Sequence, residues 1–149
     1  MKSIFETPAY NEIITRLEAL KGDVVPQWGK MNGAQMLAHC KEPLKTALGK
    51  STLKRPNFLM QLLFKSIKKS MYSDKPWKKN LPTAREYKVI DEKDFTEEKN
   101  ELRTLIEELY AKRNMEEWPI HPVWGAFTPE QWGKFQYKHL DHHFRQFNV

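Results

Sequence analysis

Apolar residues recur at three- and four-residue intervals along most of the chain, the mark of helices that each bury one face. Thr7 and Pro8 open the first, whose Tyr10, Ile13, Ile14, Leu17 and Leu20 keep the spacing until Gly22 ends it. Lys21 to Lys30 read as a loop that lays Val24, Val25 and Trp28 over the core. The second helix is expected from Asn32, with Gln35 at the capping-box position and Met31 and Met36 as a hydrophobic staple. Its stripe is Met36, Leu37, Cys40, Leu44, Ala47 and Leu48, and His39 falls on the flank of that stripe, placed for a cleft or a bundle end. Pro43 removes the hydrogen bond that the His39 carbonyl would accept, which predicts a kink. A third, shorter helix is predicted from Asn57 to about Met71, with Phe58, Leu59, Leu62, Leu63 and Ile67 inward and the lysines outward.

From Tyr72 to Ile90 the periodicity lapses. Pro76, Asn80 and Pro82 mark an extended connection in which EYKVI either adds a short strand or drapes, and a connection of this length is expected to roof a site. Asp94 or Thr96 caps the fourth helix, and Phe95, Leu102, Leu105, Ile106 and Leu109 form its stripe. Glu116 to Phe127 then packs two prolines, two tryptophans and His121 into a rigid turn.

The last helix has the clearest start: Thr128 as cap, Pro129 at the first position, and Gln131 to complete a capping box between Phe127 and Trp132. At about 100° per residue, Trp132, Phe135, Gln136, His139, Leu140, His143, Gln146 and Phe147 share one face, with Lys134, Lys138, Asp141 and Arg145 opposite. His139 and His143 therefore point inward, stacked one turn apart as a two-nitrogen chelate requires. Two hydrogen-bonded core histidines are the plainer reading. Beside large aromatics, however, each inward imidazole leaves a polar nitrogen needing a partner, and a metal ion satisfies both. His142 sits at the boundary near Lys138 and Arg145 and ranks behind His143, while His121 is either a further ligand or a hydrogen-bonded loop residue.

The pattern therefore predicts an all-α chain: a four-helix bundle with an extra short helix and a long connection, a single domain over residues 1–149. One cysteine, Cys40, rules out an internal disulfide framework, and the N-terminus has no apolar signal core, so a cytoplasmic setting is expected. No apolar run approaches the roughly 20 residues of a membrane span. The net charge of +6 is concentrated between Lys41 and Lys79. That stretch can touch phosphates or an anionic membrane, but no nucleic-acid motif accompanies it, and a solvated basic face is the expectation.

A helix bearing MNGAQMLAHC, the segment HPVWGAFTPEQW and a last helix bearing KHLDHHFRQF together resemble the DinB/YfiT-like metalloenzyme superfamily, within an uncharacterised subgroup marked by HPxxGxFTxxxW and HxxHHxxQF. The resemblance covers the chain from the second helix onward. It implies a four-helix bundle binding a divalent ion through three histidines, matched here by His39, His139 and His143. It also implies hydrolysis or thiol transfer as candidate reactions, since members include transferases that use low-molecular-weight thiols. Relatives often follow the second histidine of the pair with Arg-Gly-Gln, whereas His143 is followed by Phe144, Arg145 and Gln146.

Three neutral imidazoles leave the double charge of zinc, nickel or iron uncompensated, which favours an anionic fourth partner and lowers the pKa of a bound water toward roughly 7 in favourable zinc sites. Glu42, three residues after His39, and Gln35, four before it, are candidates to orient ligand or water, with Gln35 also needed for capping. Cys40 lies about 100° away on the apolar stripe, where a thiol is expected to be inert. The expected partner is a small-molecule substrate, with a low-molecular-weight thiol among the options and no specific nucleic acid; a homodimer stays open. The competing classes are a non-catalytic helical scaffold and a binder of nucleic acid or anionic surfaces through the lysines between Lys65 and Lys79.

Overall fold

The computed structural model describes residues 1–149 and contains five α-helices and no β-strand: α1 (Thr7–Ala19), α2 (Gly33–Ala47), α3 (Phe58–Ile67), α4 (Phe95–Ala111) and α5 (Pro129–Gln146). Each start after α1 follows from a side chain that satisfies an otherwise unpaired backbone N–H. Asn32 accepts from Gln35 N, Asn57 from Met60 N, Asp94 from Glu97 N and Thr128 from Gln131 N, and both expected capping boxes are complete. Phe127 and Trp132 meet edge to face at 5.0 Å across the start of α5.

Helices α1, α2, α4 and α5 form the bundle: α2 packs on α4 and α5, and α1 on the same two. Their inward stripes meet in one core that includes Ile13, Leu17, Leu37, Leu44, Leu102 and Ile106, with Trp132, Leu140 and Phe144 from α5. Lys41 of α2 is buried within this packing and pairs with Glu98 and Glu101 of α4. α2 runs on through Pro43, whose carbonyl accepts from the buried Gln136 Nε2 of α5 at 2.9 Å.

The third helix departs from its expected orientation. α3 stops at Ile67 and a 3-10 turn takes Lys68–Met71, and no residue of α3 is buried. Phe58, Leu59, Leu62, Leu63 and Ile67, assigned inward by their spacing, are 76%, 75%, 50%, 52% and 45% exposed. The physical reason is that the other four helices already close the core, so α3 lies outside it over a cavity, touching the walls through Met60, Phe64 and Ile67. Val25 is exposed as well, leaving Val24 and Trp28 to face the protein. Lys138, assigned to the solvent face of α5, is buried because the chain after α3 folds over it; its Nζ donates to the carbonyls of Ser70 and Ser73 at 2.8 and 2.7 Å. No strand forms at EYKVI, where Arg85–Tyr87 make a 3-10 turn and bury Tyr87.

Candidate metal centre

α2 brings His39, and adjacent turns of α5 bring His139 and His143, to one buried point. One ligand-capable nitrogen from each ring lies within 4.8 Å of the others. The Nε2 atoms of His39 and His139 are 3.2 Å apart, and the three ring centroids are separated by 4.7 to 5.1 Å. His39 is buried despite lying beside the apolar stripe because the long connection covers that flank of α2. Tyr87 is the tie: its carbonyl accepts from His39 Nδ1 at 2.8 Å, and its hydroxyl bonds Thr46 Oγ1 at 2.7 Å about two turns further along α2.

Those partners decide which nitrogen faces the centre. A carbonyl only accepts, so His39 carries its proton on Nδ1 and presents the Nε2 lone pair inward. Gln146 Nε2 donates to the Trp28 carbonyl at 2.6 Å, which turns Oε1 toward His143 Nδ1 at 2.8 Å, so His143 also presents its Nε2 lone pair. His139 Nδ1 is buried without a partner. Burial lowers the pKa of all three rings: His39 is lowered, His139 well below the ordinary value with the neighbouring rings adding to the effect, and His143 to about 3. All three are therefore neutral near pH 7, the state in which an imidazole can coordinate. The donor set fits a borderline divalent ion such as zinc, nickel or iron.

The remaining sequence candidates lie elsewhere or do other work. His142 is half-buried in the cavity wall, edge-on to Trp28 and Trp77 at 5.7 Å each, and outside the three-nitrogen cluster. His121 is a loop clamp: its Nδ1 accepts from the backbone N–H groups of Val123 and Trp124 at 3.1 and 3.2 Å, and its main chain pairs with that of Gly125. Gly125 closes this turn at φ +74°, so both the His and the Gly of the HPxxG signature have backbone jobs. Gln35 is engaged with Asn32 and with the carbonyls of Ile90 and Asp91, and Glu42 pairs with Lys45 at 2.8 Å; neither lines the cavity. Cys40 is buried, its thiol pKa pushed up by burial, with Sγ against Met36 Sδ.

Three supporting groups had only faint sequence signals. Gln146 lies three residues after His143 on the inward face, so its reach was legible but its partner was not. Tyr87 contributes a backbone carbonyl, which no side-chain pattern reveals. Gly29 is the third: its φ of +84° favours glycine, and a Cβ there would sit 2.6 Å from Gln146 Nε2 and would have to displace it from the Trp28 carbonyl.

The three histidines open onto a cavity of about 1010 Å³, walled by α3, the long connection, the His121 loop and α5. The connection does roof this space, supplying Trp77, Leu81 and Tyr87. No helix of the chain is long and apolar enough to cross a membrane. No curated protein and no solved structure matches the chain. A family model described as "protein of unknown function (DUF1569)" matches residues 2–149, and the chain belongs to that family.

Proposed function

We propose that this protein is a divalent-metal-dependent enzyme of the DinB/YfiT type that carries out hydrolysis or thiol transfer on a small molecule held in the cavity. The observation that carries the reading is the convergence of three neutral, buried imidazoles, two of them locked with their lone pairs inward, at the foot of a cavity large enough for a substrate. His39, His139 and His143 would hold the ion, which when bound supplies Lewis-acid activation of water or of a thiol. The chain's own contribution is orientation. The Tyr87 carbonyl and Gln146 fix two rings against rotation, and Trp77 stands 6.0 Å from the His139 ring as part of the apolar wall. Glu42 acts on His39 through its field, favouring positive charge there, although its carboxylate is paired with Lys45.

Elemental analysis of untagged protein, before and after reconstitution, tests the reading against a non-catalytic scaffold. The expected result is one zinc, nickel or iron per chain, lost in His139→Ala/His143→Ala while the helical circular dichroism persists. Full metal retention in that variant overturns the ligand assignment, and failure to load any metal favours the scaffold.

A second reading concerns the outer face of α3. Its exposed Phe58, Leu59, Leu62 and Leu63 are interleaved with the exposed Lys65 and Lys69, and no acidic residue occurs between Ser51 and Ser73. Bulky aliphatics among cations suit an anionic bilayer surface better than nucleic acid. A symmetric contact with a second copy would bring like charges together. Co-sedimentation with phosphatidylglycerol vesicles but not with phosphatidylcholine vesicles, weakened by salt, is the expected result; equal pelleting with both removes this reading.

A further inference from the structure

We infer that the cavity above the three histidines takes an apolar organic anion: a molecule with an extended hydrocarbon or aryl body and one acidic end group. The inference rests on the enzymatic reading only for which end of the ligand reacts; binding itself does not require the metal.

Size and wall chemistry come first. At about 1010 Å³ the cavity stands at the top of the usual range for ligand sites, roughly 300 to 1,000 Å³. Met60, Phe64, Trp77, Leu81, Trp124 and Phe135 supply apolar wall from four separate parts of the chain. A small polar ligand would leave most of that wall facing water, whereas a long apolar body would cover it.

Charge then selects the end group. Although 19 of the 149 residues are Asp or Glu, none of the thirty residues lining the cavity is acidic. Three lining residues are cations, Lys30, Lys54 and Arg55, and none of them is in an ion pair. Elsewhere the chain pairs its cations readily, as at Lys41, Lys50, Arg103, Lys112 and Lys134. His121 offers the wall no free acceptor, because its Nδ1 already accepts two backbone N–H bonds, which leaves its proton on the buried Nε2. A cavity lined by unpaired cations and free of carboxylates attracts an anion and rejects a cation of the same shape. Arg55, with Lys54 beside it on the same loop, is the natural anchor for a carboxylate, sulfonate or phosphate; the nearby Glu86 carboxylate, outside the lining, accepts from the Lys54 backbone N–H at 3.2 Å and leaves Arg55 the freer cation.

Isothermal titration with dodecanoate, dodecyltrimethylammonium and dodecyl maltoside tests this, each below its micelle concentration, on metal-free and zinc-loaded protein, with tryptophan fluorescence as a second readout. Dodecanoate is expected to bind one per chain and at least tenfold tighter than the other two. Lys54→Ala/Arg55→Ala should weaken it at least tenfold; both side chains are exposed, so the variant folds. Leu59→Ser/Leu62→Ser, on the outer face of α3, should leave it unchanged. Equal affinity for the three probes, no binding of dodecanoate, or loss through the Leu59/Leu62 variant instead of the Lys54/Arg55 variant overturns the inference. Zinc content measured on the same samples keeps the two ideas apart. Dodecanoate binding to protein that never loads zinc sinks the metal reading alone, and zinc loading without dodecanoate binding sinks this inference alone.

Discussion

His121 clamps its loop through an Nδ1 that can accept two N–H bonds only while unprotonated. Burial first, and then the nearby Lys68, lower its pKa to about 4, against about 6.5 for an ordinary histidine. The unfolded chain therefore takes up this proton before the folded one does. Stability is full above about pH 6.5 and falls as the pH drops toward 4, by up to about 1.4 kcal/mol per pH unit for one such group. Urea unfolding at pH 7 and pH 5 should show a smaller loss for His121→Asn than for the wild type; equal losses would deny the clamp its titration. Gly29→Ala drives a Cβ against Gln146 Nε2, loosening the hold on His143, and should weaken metal binding by about 10- to 100-fold, as loss of a ligand's outer partner does. Competition with a chelator measures it, and Gln146→Ala should reproduce it.

Among the elements, α3 and α4 make opposite predictions from similar sequence patterns. Leu102 of α4 is fully buried, so Leu102→Ala should cost about 2–5 kcal/mol in urea unfolding. Phe58→Ala or Leu59→Ala on α3 should stay within about 0.5 kcal/mol, because those side chains bury little. The α2–α4 contact carries a different sensitivity. Lys41 and Glu98 are both buried where the helices meet, so Lys41→Ala strands a carboxylate and should destabilise by about 3–5 kcal/mol. Lys41→Met/Glu98→Leu, which removes both charges at similar volume, should recover most of that loss.

At the scale of the whole molecule, the three-histidine cluster joins α2 to α5, two helices that are far apart in sequence and already packed in the bundle. An ion bound there favours the folded state by about 4 kcal/mol at a thousandfold excess over its dissociation constant. Chelation should therefore lower the melting temperature of the wild type and leave that of His139→Ala/His143→Ala unmoved; calorimetry decides it. Much of this organisation is local in origin and was readable from the chain alone. The caps at Asn32, Asp94 and Thr128 and the inward face of α5 depend on neighbours within a turn, where helical geometry is the same in every fold. The same holds for the pairing of His139 with His143. Apolar spacing also announced α3, but spacing states only that a helix has an apolar side. Which surface that side meets depended on the other four helices closing the core without it. His39 shows the converse: its flank position looked half open until Tyr87, 48 residues later, folded over it. Contacts between distant segments set the burial, the tautomers and the cavity, because burial and hydrogen-bond partners belong to the assembled chain and not to any one stretch of it.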